Sequence, residues 1–169
     1  MNTAYLLLGS NLGKRESFLS QAIELIEKNA GRVIRKSSLY ETAPWGNKNQ
    51  DNFLNQVICI ETMLTAEKLL SEILAIEKKL GRERPFDSAQ GDKSKKWEAR
   101  IIDIDILFFN SEIIHTSILI VPHPHLHERR FVLIPLAEIA GEFIHPVLKK
   151  TVVQLLSDCK DNLPVSLLA

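Results

Sequence analysis

Residues 100–109 read RIIDIDILFF, and this stretch limits the fold of the chain more tightly than any other. An extended strand sends successive side chains to opposite faces. Ile102, Ile104, Ile106 and Phe108 therefore fall on one side, and Asp103 and Asp105 share the other. The first face is continuously apolar and has to be buried. The second carries two like charges about 7 Å apart along the backbone, which repel unless something positive stands between them. If the isoleucines pack under helices, both aspartates must lie on the opposite, open side of the sheet.

The flanking sequence supplies those helices. TAYLLLG (3–9) is a short apolar run ending in a turn signal and predicts a buried strand. Leu19, Ala22, Ile23 and Ile26 follow helical spacing within 16–30, with Gly31 as a stop. A second strand is expected over 32–40, then a loop with Pro44, Gly46 and several Asn, then a β-branched third strand over 53–63. Thr65 is placed to cap a helix carrying Ala66, Leu69, Leu70, Ile73 and Leu80, closed by Gly81. Residues 82–96 are polar and aperiodic, a long loop of the kind that is usually functional or disordered. Beyond the diaspartate strand come a short edge strand near 112–115, the loop VPHPHLHERR, and a helix over 131–140 with Pro135 near its start. A last helical turn or two over 152–156 and a loose tail over 159–169 complete the chain. The order strand, helix, strand, strand, helix, strand predicts an α+β, ferredoxin-like fold. Its antiparallel sheet would carry helices on one face and active-site loops on the other. Nothing marks a repeat or a boundary, so residues 1–169 are expected to form one domain.

Composition narrows the function classes. Twenty-one basic residues balance 21 acidic ones, whereas a nucleic-acid surface usually leaves a basic excess. The two cysteines, Cys59 and Cys159, lie far apart and in no CxxC pair, as free thiols in a reducing compartment do. The N-terminus shows neither a basic n-region nor a small-residue cleavage site, and no apolar run reaches the roughly 20 residues of a membrane span. The expectation is a cytoplasmic monomer acting on small molecules, with neither nucleic acid nor membrane as partner.

Hard divalent cations take oxygen ligands, and magnesium commonly uses one or two carboxylates together with phosphate oxygens and water. Asp103 and Asp105 suit that task. Six basic residues stand against four acidic ones over 82–100. Arginines just before a diaspartate strand offer both halves of a metal–phosphate site, and Arg100 adjoins the strand directly. GSNLGKRES (9–17) is not a phosphate-binding loop of the Walker type: Gly9 to Gly13 is one residue short, and Arg15 stands where Ser or Thr belongs. His123, His125 and His127 alternate in HPHLH, but no acidic or Cys residue completes a zinc spacing. One of them contacting phosphate is the better reading. Trp45, Phe53, Trp97 and Phe131 flank the polar loops, where a flat heterocycle would stack, with Thr42 and Asn55 offering hydrogen bonds to its edge.

Taken together, GSN (9–11), YETAPWG, FLNQV, EKKLGRER, WEARIIDIDILFF and VPHPHLHERRFVLIPL resemble the 6-hydroxymethyl-7,8-dihydropterin pyrophosphokinase family over about residues 3–140. The resemblance implies transfer of the terminal diphosphate of ATP to a pterin hydroxymethyl group, with release of AMP, in folate biosynthesis. It implies two magnesium ions on Asp103 and Asp105, with Arg82 and Arg100 beside them as catalytic cations. It places the pterin on Thr42, Trp45, Phe53, Asn55 and Phe131. ATP falls to Glu77, Arg82, Arg84, Trp97, Arg100, His123 and Arg129. Several positions depart from the family pattern. Glu98 stands where Gly is common, Ile118 and Pro124 replace an Arg and a Tyr near ATP, and Phe53 lacks a frequent tyrosine hydroxyl. Residues 85–96 read as an insertion. Two other classes fit parts of the pattern: a ferredoxin-like RNA-binding module, which lacks its basic–aromatic strand signature here, and a nucleotide-binding domain without turnover.

Overall fold

The computed structural model describes residues 1–46, 48–81 and 100–168. The expected contacts Arg82, Arg84 and Trp97, together with Glu98 and the insertion at 85–96, lie outside that set.

The strand β1 (Asn2–Ser10) lies one strand in from the sheet edge, antiparallel to β4 (Phe53–Thr62) on one side and to the edge strand β5 (Asp103–Phe109) on the other. Between them in sequence come α1 (Arg15–Asn29), β2 (Arg32–Lys36), β3 (Tyr40–Thr42) and α2 (Ala66–Lys79). The strand predicted over 32–40 is two strands, β2 on the C-terminal half of β4 and β3 on its N-terminal half. At the break, the Ser37 hydroxyl accepts the Val57 N–H and the Gln56 amide donates to the Ser37 carbonyl, bonds that a continuous ladder would not leave open. The arrangement is α+β and ferredoxin-like.

Helices α1 and α2 cover one sheet face. Leu19, Ala22, Ile23 and Ile26 of α1 and Leu69, Ile73 and Ile76 of α2 meet Ala4, Leu6, Leu8, Leu54, Ile58, Ile60, Ile102, Ile104 and Ile106. Helix α2 starts as predicted: the Thr65 side chain accepts the Lys68 N–H, satisfying one of the four orphan donors of a helix start. Each large side chain fully buried in this layer contributes about 1.5–3 kcal/mol.

Alternation along β5 fails at one place. Leu6 pairs with Ile106 but Tyr5 pairs with Phe108, so Leu107 is an extra residue on β5. Such a bulge leaves two consecutive side chains on one face and shifts the phase of the rest. Phe108 therefore joins Leu107 on the far side of the sheet, and Phe109 takes the predicted place of Phe108 beneath α1 and α2.

The far face is not left to loops alone. Past the hairpin of β6 (Ile114–His115) and β7 (Ile120–Val121), a 3-10 turn (Leu126–Glu128) leads into α3 (Arg130–Ala140), followed by α4 (Val152–Asp158). Val132, Leu133, Leu136, Val152 and Leu155 of these helices bury Tyr5, Leu7, Val57, Cys59, Leu107 and Phe108. Pro135 stands at the middle of α3, not near its start; it is buried, and its missing N–H removes a single helical bond. The tail is ordered too. Residues Val165–Leu167 form β8 along β3, because that short edge strand would otherwise present unpaired backbone groups. Among the described residues no helix is long and apolar enough to cross a membrane. What remains uncovered on the far face is the end of the sheet where β5 begins, and the aspartates are there.

Candidate active site

Three adjacent strands supply the floor of a cavity of about 300 Å³. Gly9 at the end of β1 lies opposite Asn55 of β4 and opposite Asp103 of β5; one step down, Leu7 lies opposite Val57 and Asp105. Neighbouring strands are about 4.8 Å apart, so the amide and the first carboxylate stand roughly 10 Å apart across the glycine. A Cβ on Gly9 would come 2.7 Å from Asn55 Oδ1. The bare backbone at this position lets the Asn55 side chain lie flat.

At one end of the cavity, Asn55 Nδ2 donates to Thr42 Oγ1 at 2.6 Å, and both residues are only 2% exposed. Fixing that bond fixes which edge of the amide faces inward. Phe53, Trp45 and Phe131 line the same cavity. All five residues expected to hold the pterin are brought together by β3, β4, the loop between them and the start of α3.

At the other end, the positive partner of the aspartates is Arg100, whose Nη1 stands 2.7 Å from Asp103 Oδ2. Burial pushes the Asp105 carboxyl up to about 7, with Asp103 and Glu77 adding to the rise and Arg100 and Arg129 opposing it. Among the described residues no group of three or more His, Cys, Asp or Glu gathers at one point. Two hard oxygen donors of excess negative charge fit a divalent cation whose other ligands come from phosphate and water, and do not fit a structural zinc.

His123 lines the cavity, and burial pushes its ring down to about 4, with Arg129 and His125 acting in the same direction. Its Nδ1 accepts the His125 N–H at 3.2 Å, so the neutral ring carries its proton on Nε2 as a donor. His125 engages Glu128 instead, at 2.9 Å. Arg129, 9% exposed, also lines the cavity. Glu77 does not. It is buried behind β5, where its Oε1 accepts the Ile104 N–H between the two aspartates at 2.8 Å. That hydrogen bond makes it a support of the diaspartate strand, at the position where the sequence predicts a nucleotide contact.

Two polar residues of the site, one in the cavity wall and one outside it, were not anticipated. Gln50 lines the wall with no signal in the sequence beyond its polar loop. Asn11 had one, as the polar residue between a buried strand and a helix. Its Oδ1 accepts the Arg100 N–H at 2.6 Å, its own N–H donates to the Arg100 carbonyl at 3.1 Å, and its Nδ2 donates to Gln50 Oε1 and the Asp51 carbonyl. One buried amide thus ties the entry to β5 to the loop before β4.

Comparisons with known proteins bear on the family and the fold. The family model described as 7,8-dihydro-6-hydroxymethylpterin-pyrophosphokinase (HPPK) matches residues 5–141. A relative from Bacillus subtilis, named 2-amino-4-hydroxy-6-hydroxymethyldihydropteridine pyrophosphokinase, is 47% identical over 142 residues, covering 83% of this chain and 80% of its own. One of the same name from Aquifex aeolicus is 43% identical over 150 residues, covering 89% of this chain and 88% of its own. The solved Plasmodium falciparum HPPK-DHPS with pteroate shares the fold at a TM-score of 0.74 and 20% identity, over 93% of this chain and 44% of that one. The chain thus spans less than half the length of that solved protein.

Proposed function

The chain belongs to the 7,8-dihydro-6-hydroxymethylpterin-pyrophosphokinase family, and on that premise we propose that it transfers the terminal diphosphate of ATP to 6-hydroxymethyl-7,8-dihydropterin, giving the pterin diphosphate and AMP in folate biosynthesis. The observation that carries this reading is the row Asn55–Gly9–Asp103. A hydrogen-bonding, aromatic-flanked end and a diaspartate end share one cavity, with a side-chain-free floor between them.

In this reading Thr42 and Asn55 bind the polar edge of the pterin, and Phe53 and Phe131 flank its ring. That orientation points the hydroxymethyl group along Gly9 toward Asp103. No side chain serves as nucleophile; the pterin hydroxyl attacks the β-phosphorus, and the protein contributes positioning and charge neutralisation. Asp103 and Asp105 would hold two magnesium ions. Bound there, magnesium would withdraw negative charge from the phosphate oxygens. Arg100, anchored by Asn11 and Asp103, and Arg129 supply further positive charge. The neutral His123 donates a hydrogen bond without adding to it. Arg82, Arg84 and Trp97 join them as proposed nucleotide contacts.

The test is product analysis with ATP, 6-hydroxymethyl-7,8-dihydropterin and magnesium. AMP that requires both pterin and magnesium, and is lost in Asp103→Ala and Asp105→Ala, supports the reaction. ADP would mean monophosphoryl transfer. No nucleotide product at all would sink the enzyme reading.

A further inference from the structure

Trp45 was expected to be a surface for the pterin, yet its ring face is turned to a cation. The guanidinium carbon of Arg129 stands 4.6 Å from the Trp45 ring centroid and 5.8 Å from that of Phe131. Arg129 is the residue from which α3 starts, so its backbone is held by the helix while its long side chain has several torsions to fix. A planar, weakly hydrated guanidinium is well held by aromatic faces, and indole is the strongest of them. The cation so held shares the cavity with Asp103 and Asp105. Trp45 itself belongs to the loop between β3 and β4, on the side assigned to the other substrate.

We propose that Trp45 is a positioning residue for the nucleotide: stacked on Arg129, it holds that guanidinium beside the diaspartate strand, where triphosphate oxygens would lie. A residue of the pterin-side loop thereby sets affinity for the other substrate. The inference rests on reading the cavity as an ATP site, and goes beyond it in giving Trp45 a role in nucleotide binding that a ring platform would not have.

The experiment is calorimetric titration of the full chain with a non-hydrolysable ATP analogue and magnesium, in the absence of pterin. Trp45→Leu should weaken analogue binding roughly tenfold, the effect of losing a partly desolvated cation–ring contact. Trp45→Phe, which keeps a ring, should recover most of that loss. In an Arg129→Met background, Trp45→Leu should have little further effect, because the group it positions is gone. Wild-type analogue affinity in Trp45→Leu, with only pterin affinity reduced, would overturn the proposal, as would additive losses in the double variant. A wild-type chain that neither binds the analogue nor forms AMP refutes the proposed function instead, before any variant is compared.

Discussion

Replacing Asp105 with Asn should make the metal-free protein more stable and less active. The carboxyl is raised from an ordinary 3.8 to about 7, chiefly by burial and then by Asp103 and Glu77. At about 1.4 kcal/mol per tenfold change in proton affinity, ionising it in the fold opposes stability by at most about 4 kcal/mol. Movement of Arg100 and Arg129 toward the carboxylate, and water in the open cavity, reduce this to about 2 kcal/mol. The sign follows from the direction of the shift. A raised carboxyl destabilises the fold fully above pH 7, progressively less as the pH falls from 7 toward 4, and not at all below that. Asn mimics the protonated form throughout. Urea unfolding with EDTA should therefore show Asp105→Asn about 2 kcal/mol more stable than wild type at pH 8, a gain of roughly 4–8 °C in Tm. At pH 4 the two proteins should coincide. Turnover should fall roughly a hundredfold or more, since a proposed cation ligand is lost. An Asn variant no more stable at pH 8, or equally stabilised at both pH values, would refute the argument that burial raises this carboxyl.

Three further outcomes follow from single contacts. Gly9→Ala places a Cβ 2.7 Å from Asn55 Oδ1 and must disturb the Asn55–Thr42 bond; the KM for pterin should rise roughly tenfold while that for ATP changes little, and equal rises would contradict the assignment of the two cavity ends. Glu77→Leu removes the acceptor of the buried Ile104 N–H and should destabilise by about 1–3 kcal/mol in urea unfolding, whereas Glu77→Gln keeps an acceptor and should lose much less; indistinguishable variants would show that the bond is immaterial. Burial and a 2.7 Å hydrogen bond to Glu138 hold the Tyr40 hydroxyl up at about 12. Tyr40→Phe should remove a tyrosinate absorbance step near that pH and destabilise by about 1 kcal/mol; a step that persists would assign it to Tyr5.

Part of this cavity was legible in the sequence. Isoleucines alternating with Asp103 and Asp105 put the two carboxylates on one face together, opposite the isoleucines; that the isoleucine face is the one beneath α1 and α2 was settled by packing. Thr65 and Gly81 bounded α2 because helix ends need local partners, and local needs are visible in local sequence. The tertiary structure decided what sequence spacing cannot carry. Whether Phe108 or Phe109 faces α1 depended on a bulge, set by pairing with a strand about a hundred residues away. The tail became β8 because β3 had an open edge, a fact about the sheet and not about VSL. Asn11, Glu77 and Gln50 owe their places to partners distant in the chain, and Trp45 its stacking to Arg129. Periodicity reports which face a side chain takes. Only the assembled sheet reports what stands opposite and how deeply a group is buried, and at this cavity burial raises Asp105, Thr42 orients Asn55 and Trp45 stacks on Arg129.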